Sequence, residues 1–265
     1  MPDAPAVPLV RFDAARALGA EVAVTPRVGG VSAPPYDTLN LAFHVGDRPE
    51  DVAQNRARAA SSFGVRVSDM VFARQEHGAT ATLVGAGDRG RGSLGEDDAI
   101  PGTDILVTAT TGVTLVILVA DCLPLALVDP DAGVLATVHA GWRGTAGGAV
   151  AAALGAMGEL GARPDRVHAF LGPAVPPERY QVSDDVHRAL AGALPVGLDS
   201  AVARPDGPGH WLVDLVAANR QQLRLAGVRD AHVVTCGRST ADEGFFSHRA
   251  SRPCGRFALL ARLTG

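Results

Sequence analysis

The sequence predicts an α/β fold in a single domain, with mixed sheet layered between helices. Short β-branched apolar runs crowd the middle of the chain and are continuously hydrophobic rather than alternating, the pattern of strands covered on both faces. Ala-rich and amphipathic helical stretches separate these runs. The 265 residues are 47% hydrophobic and 20% charged, enough to bury one large core, and no repeat or low-complexity linker divides them.

Taken in order, Leu9 to Phe12 and Glu21 to Thr25 read as strands, followed by a Gly- and Pro-rich loop from Gly29 to Tyr36. Leu39 to Val45 reads as another strand. Asp47 is the expected N-cap of a helix that runs to Phe63 and stops at Gly64. Val71 to Arg74 and Ala81 to Val84 are expected strands, and Gly85 to Gly102 a mobile surface loop. Ile105 to Thr108, Leu115 to Ala120, Leu123 to Val128 and Val134 to Val138 form the strand-rich centre. One helix is expected over Thr145 to Leu160, a strand over Val167 to Leu171, and helices over Asp184 to Ala193 and Val213 to Ala226. Strands at His232 to Thr235 and Phe257 to Arg262 complete the chain. Residues 1–20 are expected at the periphery of this single domain, 1–265.

Composition removes several classes of function. All 24 basic residues are arginines. Without lysine there is no Schiff-base enzyme, no P-loop NTPase and no serine–lysine hydrolase. A net charge of −4 and a pI near 6.0 offer no basic face for nucleic acid or anionic lipid. The apolar run from Thr114 to Val128 is broken by Asp121 and Cys122 and is too short to span a bilayer. The first residues lack the basic and apolar regions of a signal peptide, and three cysteines make no disulfide framework, so a cytoplasmic setting is expected. Eight histidines without an H-x-H pair are a poor ligand inventory for a blue multicopper oxidase. A monomer fits the length and charge.

Three metal-type side chains fall just after predicted strands: His77, Cys122 and His139. In open α/β sheets, sites collect outside the carboxyl ends of strands. Two imidazoles and a thiolate there would make a three-ligand zinc site with an open fourth position. Equally, the same residues read as a buried free cysteine and two loop histidines. The segment from His139 to Gly144 sets an indole and a guanidinium between glycines just before a helix, where Arg143 and the helix start would suit an anion. Asp121, beside Cys122, would orient a ligand histidine, bind a substrate hydroxyl or cap a strand end.

These residues also carry a resemblance. Asn40-Leu41 with Gly46-Asp47, Asn55-Arg56, Gln75-x-His77-Gly78, Thr103-Asp104, Ala120-Asp121-Cys122-x-Pro124 and His139 through Gly144 resemble the YfiH-like family. Gly172-Pro173, Asp214-Leu215, Phe245-Phe246-Ser247 and Gly255-Arg256 follow in family order. The family has been described as polyphenol oxidase, purine nucleoside phosphorylase or peptidoglycan editing factor. The resemblance implies an α-β-β-α sandwich with mixed sheets, similar to the catalytic domain of cytotoxic necrotizing factor. It implies that His77, Cys122 and His139 bind Zn2+ and form the catalytic centre. It further implies phosphorolysis of adenosine, inosine and methylthioadenosine, with deamination of adenosine as a companion activity.

Phosphorolysis needs phosphate held by arginines, and Arg56, Arg143 and Arg249 are the candidates, with Asn40 and Asp121 as further substrate contacts. The chain departs from the family pattern at Ala174, at Gln181 to Ser183, at Thr235 to Arg238 and at His248. Two other enzymatic readings stand beside this one. A cysteine hydrolase would edit mis-made peptidoglycan precursors, with Cys122 as nucleophile and His139 or His77 as base. A Cu2+-dependent phenol oxidase would have at most one copper. A non-enzymatic partner protein is the remaining alternative.

Overall fold

The computed structural model describes residues 6–194, 197–198 and 200–265. Its strands are β1 (Val10–Arg11), β2 (Ala20–Val24), β3 (Met70–Phe72), β4 (Ala81–Leu83), β5 (Ile105–Thr108), β6 (Thr114–Val119), β7 (Leu123–Asp129), β8 (Val134–Ala140), β9 (His168–Leu171), β10 (Gln181–Ser183), β11 (Ala203–Pro205), β12 (His210–Val213), β13 (Val233–Thr235) and β14 (Phe257–Leu263). Its α-helices are α1 (Pro49–Phe63), α2 (Trp142–Ala146), α3 (Ala149–Gly158), α4 (Asp184–Gly192) and α5 (Leu215–Leu225).

Two mixed sheets stack face to face. One has the order β1-β2-β14-β6-β3, the other β13-β9-β7-β8-β5-β4. Within β6, Leu115, Ile117 and Val119 point between the sheets, whereas Val116 and Leu118 point out toward Phe63 of α1. In the second sheet, Leu106, Ala126, Val128 and Phe170 fill the inner layer, while Val107, Leu125 and Val138 meet Val150 and Ala153 of α3. The layers are therefore α-β-β-α. Strands buried on both faces need apolar residues at every position, which explains the unbroken hydrophobic runs. Each fully buried Leu, Ile or Val contributes about 1.5–3 kcal/mol relative to exposure.

The period of two also places the site. Leu135, Thr137 and His139 share the inner face of β8, so His139 points into the space between the sheets. The chain leaves the first sheet at the end of β6 and enters the second at β7. Asp121 and Cys122 are the step between them.

Several expectations are corrected. Leu39 to Val45 is no strand: Asn40 accepts from Ala42 N and donates to Ala42 O and Asp47, and Phe43–Val45 forms a 3-10 turn. Asp47 does not cap α1. Arg48 holds that position, and Asp47 accepts instead from Ser32, Asn40 and Arg48 N. The helix expected over Thr145 to Leu160 is two helices, α2 and α3, broken at Gly147-Gly148 because Gly148 has φ +79°. The loop from Gly85 to Gly102 is tied along β3 by the bonds Gly90 N to Met70 O, Phe72 N to Arg91 O and Ile100 N to Phe72 O.

Residues 6–20 follow the edge of the first sheet: β1 pairs with β2 as the end strand, and Phe12 and Ala15 are buried in the inter-sheet core. Residues 1–5 of that segment lie outside the described residues. A third sheet, β10-β12-β11, packs with α4 beside the sandwich. Its short strands carried no periodic signal.

Candidate metal centre and cleft

His77, Cys122 and His139 converge at the open end of the inter-sheet space. Their ligand atoms all lie within 4.8 Å of one another, and the two imidazoles meet edge to face with centroids 4.7 Å apart. His139 is not in a loop after β8, as expected, but is the penultimate residue of that strand and 3% exposed. His77 stands in the loop between β3 and β4 at φ +61°, a left-handed conformation that a non-glycine residue adopts only under constraint.

That constraint is Asp104, which is fully buried just before β5. Its carboxylate accepts from Glu76 N at 3.1 Å, His77 N at 3.0 Å and Gly78 N at 2.7 Å. It also accepts from His139 Nδ1 at 2.7 Å. One carboxylate thus holds the His77 loop and fixes the tautomer of His139, leaving Nε2 free to ligate. This is the orienting role proposed for Asp121, and Asp121 does not fill it. Its carboxylate is occupied by Thr240 Oγ1, Ser247 Oγ and Arg249 N, which pin residues 240–249 beside Cys122. Gln75 fixes the other flank, pairing with both the N–H and the C=O of Leu118 at 2.8 Å.

Electrostatics couple Cys122 to the histidines beside it. Burial pushes the Cys122 thiol up, but the charges and hydrogen bonds of His139 and His77 overcome this and bring it to about 6. Burial alone would depress His139, yet Cys122 and Asp104 raise it to about 9. At neutral pH the metal-free pair is therefore thiolate beside imidazolium. Gly141 closes the cradle: a Cβ there would lie 2.7 Å from Cys122 Sγ. Two imidazoles and a thiolate, oriented from behind by a carboxylate, form a donor set that can bind a metal. No other group of three such side chains meets this criterion among the described residues.

The group opens into a cleft of about 690 Å3. Arg74, Arg143, Arg249, Arg252 and Arg256 line it, together with buried Arg56. Arg143 is exposed and lies over the Trp142 ring at 4.4 Å. Arg249 donates to Gln181 O and lies 5.2 Å from the Tyr180 ring. Arg56 differs: it is 2% exposed, sandwiched by Phe43 and Phe72, and donates to the carbonyls of Leu41, Gly92 and Ser93. Those bonds fix the cleft wall. Asn40, likewise named as a substrate contact, is fully buried in its own loop and does not line the cleft. The helix following His139, α2, has only five residues, and the Arg143 guanidinium is the exposed cation that follows His139 on this side of the cleft.

The chain matches, over residues 21–264, the family described as multi-copper polyphenol oxidoreductase laccase. The YlmD structure from Geobacillus stearothermophilus superposes with a TM-score of 0.90 at 37% identity, covering 93% of each chain. The chain belongs to the YfiH-like family. The YfiH structure from Bacillus licheniformis gives a TM-score of 0.89 at 31% identity, over 92% of this chain and 93% of that one. Curated relatives of this YfiH-like protein include a purine nucleoside phosphorylase of Deinococcus radiodurans, 42% identical over 93% of this chain and 88% of its own. Another, from Streptomyces coelicolor, is 42% identical over 91% and 94% of the two chains.

The sequence had singled out the three candidate ligands. It missed Asp104 as their organiser, although Thr103-Asp104 stood among the family-like segments. The missing signal is register: Ile105 pairs with Val138, so Asp104 lies opposite His139 across β5 and β8.

Proposed function

We propose that this YfiH-like protein is a zinc-dependent purine nucleoside phosphorylase that splits adenosine, inosine and methylthioadenosine and also deaminates adenosine. One observation carries the reading: the oriented His77–Cys122–His139 group opens directly into a cleft lined by arginines. The names of the relatives support the substrate class. Zinc suits two imidazoles and one thiolate with one position left open; bound there, it would act as a Lewis acid and bring a water toward ionisation near neutral pH.

The residues of the chain do the rest. Arg143 and Arg249, which form no ion pair among the described residues, hold phosphate beside the sugar. A phosphate oxygen bonds to C1′ as the glycosidic C–N bond breaks, and the base leaves with the electron pair and takes the proton that the hydrogen phosphate gives up. The nearby anion stabilises the positive charge that builds on the sugar. In deamination, water adds to the base carbon that bears the amino group, and ammonia leaves.

Metal analysis of the purified chain should give one zinc per molecule. Inosine with phosphate should yield hypoxanthine and ribose 1-phosphate by mass spectrometry, and the absence of both products would end this reading. A specific feature favours a second one. Asp104, His139 and a depressed Cys122 thiol line up as an acid, base and nucleophile, the arrangement of a cysteine hydrolase. The family description supplies a third, with copper in place of zinc. Stoichiometric zinc that protects Cys122 from alkylation separates the first reading from both.

A further inference from the structure

His248 lines the same cleft, and hydrogen bonds anchor the chain on both sides of it. Ser247 Oγ on one side and Arg249 N on the other both donate to Asp121, next to Cys122. The main-chain carbonyl of His248 accepts from Arg252 Nε at 3.0 Å. The ring itself is treated differently from the backbone: Nδ1 is sealed from solvent and has no hydrogen-bond partner. The side chain is only partly buried, so Nε2 is the ring's polar atom available to the cleft.

In most proteins the partner of one ring nitrogen decides which nitrogen carries the proton, as Asp104 does for His139. At His248 nothing on the protein makes that choice. Burial, then the charges of Arg256 and Arg252, depress the ring below the ordinary histidine range, so it is neutral at pH 7. A neutral ring with an unpartnered Nδ1 can present Nε2 as a donor or as an acceptor at nearly equal cost.

We propose that His248 is a specificity-determining residue whose free tautomer lets one cleft accept both 6-oxo and 6-amino purines. Nε2–H donates to the carbonyl of inosine, and bare Nε2 accepts from the amino group of adenosine. This rests on the phosphorylase reading and deepens it.

The test uses the zinc-loaded protein with saturating phosphate, and compares kcat/KM for inosine and adenosine. Both nucleosides are uncharged, so a charge introduced at position 248 weighs on them alike and cancels in the ratio. His248→Phe should lower both values by roughly 10- to 100-fold, the loss of one buried-site hydrogen bond. His248→Gln, whose amide carries a donor and an acceptor, should restore both to within about threefold. His248→Lys, a donor only, should raise the inosine-to-adenosine ratio about tenfold, and His248→Glu, an acceptor only, should lower it by as much. Lys and Glu moving the ratio the same way, or His248→Phe changing neither value by more than about twofold, would overturn the proposal.

Nitrogen-15 NMR of the His248 ring is independent of turnover. The free protein should show both neutral tautomers, shifting to Nε2–H with inosine and to Nδ1–H with adenosine. A single tautomer in the free protein, or no response to either nucleoside, refutes the assignment. Failure of the wild-type protein to act on any nucleoside would instead remove the phosphorylase reading.

Discussion

Asp104 Oδ1, at the residue just before β5, and His139 Nδ1, on the antiparallel neighbour β8, lie 2.7 Å apart, and the same carboxylate accepts from the amides of Glu76, His77 and Gly78. A buried carboxylate so placed sets two of the three candidate ligand residues at once. Replacing it isosterically should therefore weaken the metal more than the fold. In Asp104→Asn the zinc Kd is expected to rise about 10- to 100-fold, read by competition with a chromophoric chelator. An unchanged Kd would show that the pairing does not orient the ligand.

Metal loading should be pH-dependent with a defined sign. In the metal-free protein His139 is raised to about 9, against the pull of burial, by Cys122 and Asp104, so below that pH its Nε2 proton must leave before an ion can bind. Cys122, held at about 6 by the two histidines despite its burial, is already a thiolate at pH 7. Zinc affinity should thus rise roughly tenfold per pH unit between about 6 and 9, and more steeply below 6, where the Cys122 thiol proton must leave as well. Calorimetry at pH 7 in buffers of different ionisation enthalpy should count about one proton released per zinc.

Gly141 tests the cradle with a single methyl group. A Cβ there would sit 2.7 Å from Cys122 Sγ and 3.4 Å from the His77 ring. Gly141→Ala should purify folded but with little zinc by elemental analysis. Full occupancy in this variant would mean that the three side chains do not close around an ion as drawn.

Two arginines of the cleft should behave in opposite ways. Arg56→Met strips the carbonyls of Leu41, Gly92 and Ser93 of a buried donor and should cost about 2–4 kcal/mol, seen as a Tm lower by several degrees. Arg143→Ala, on an exposed side chain, should leave the Tm within about 2 °C and raise the KM for phosphate at least tenfold. Equal Tm losses in the two variants would contradict this division of labour.

How much of this was legible beforehand follows from the range over which each feature is set. The central strands and α1 were visible because burial on both faces or on one stripe dictates residue type locally, as in Leu115 to Val119 and Ala59 to Phe63. The segment around Asn40 was not legible: its apolar run has the composition of a strand, but one amide side chain satisfies the backbone instead. The break at Gly147-Gly148 was legible in principle, since only glycine tolerates φ +79° there without strain.

The sequence alone determined the chemical inventory of this YfiH-like protein: strands buried on both faces, no lysine, and His77, Cys122 and His139 as the metal-type residues at strand ends. Only the tertiary structure decided that Asp104 rather than Asp121 stands behind His139, that Arg56 and Asn40 are bound into the scaffold, and that the ring of His248 is left without a partner. The physical reason is that apolar burial is written along the chain in periods of two and 3.6. The partner of a buried polar atom is chosen by strand register and loop path, between residues far apart in sequence.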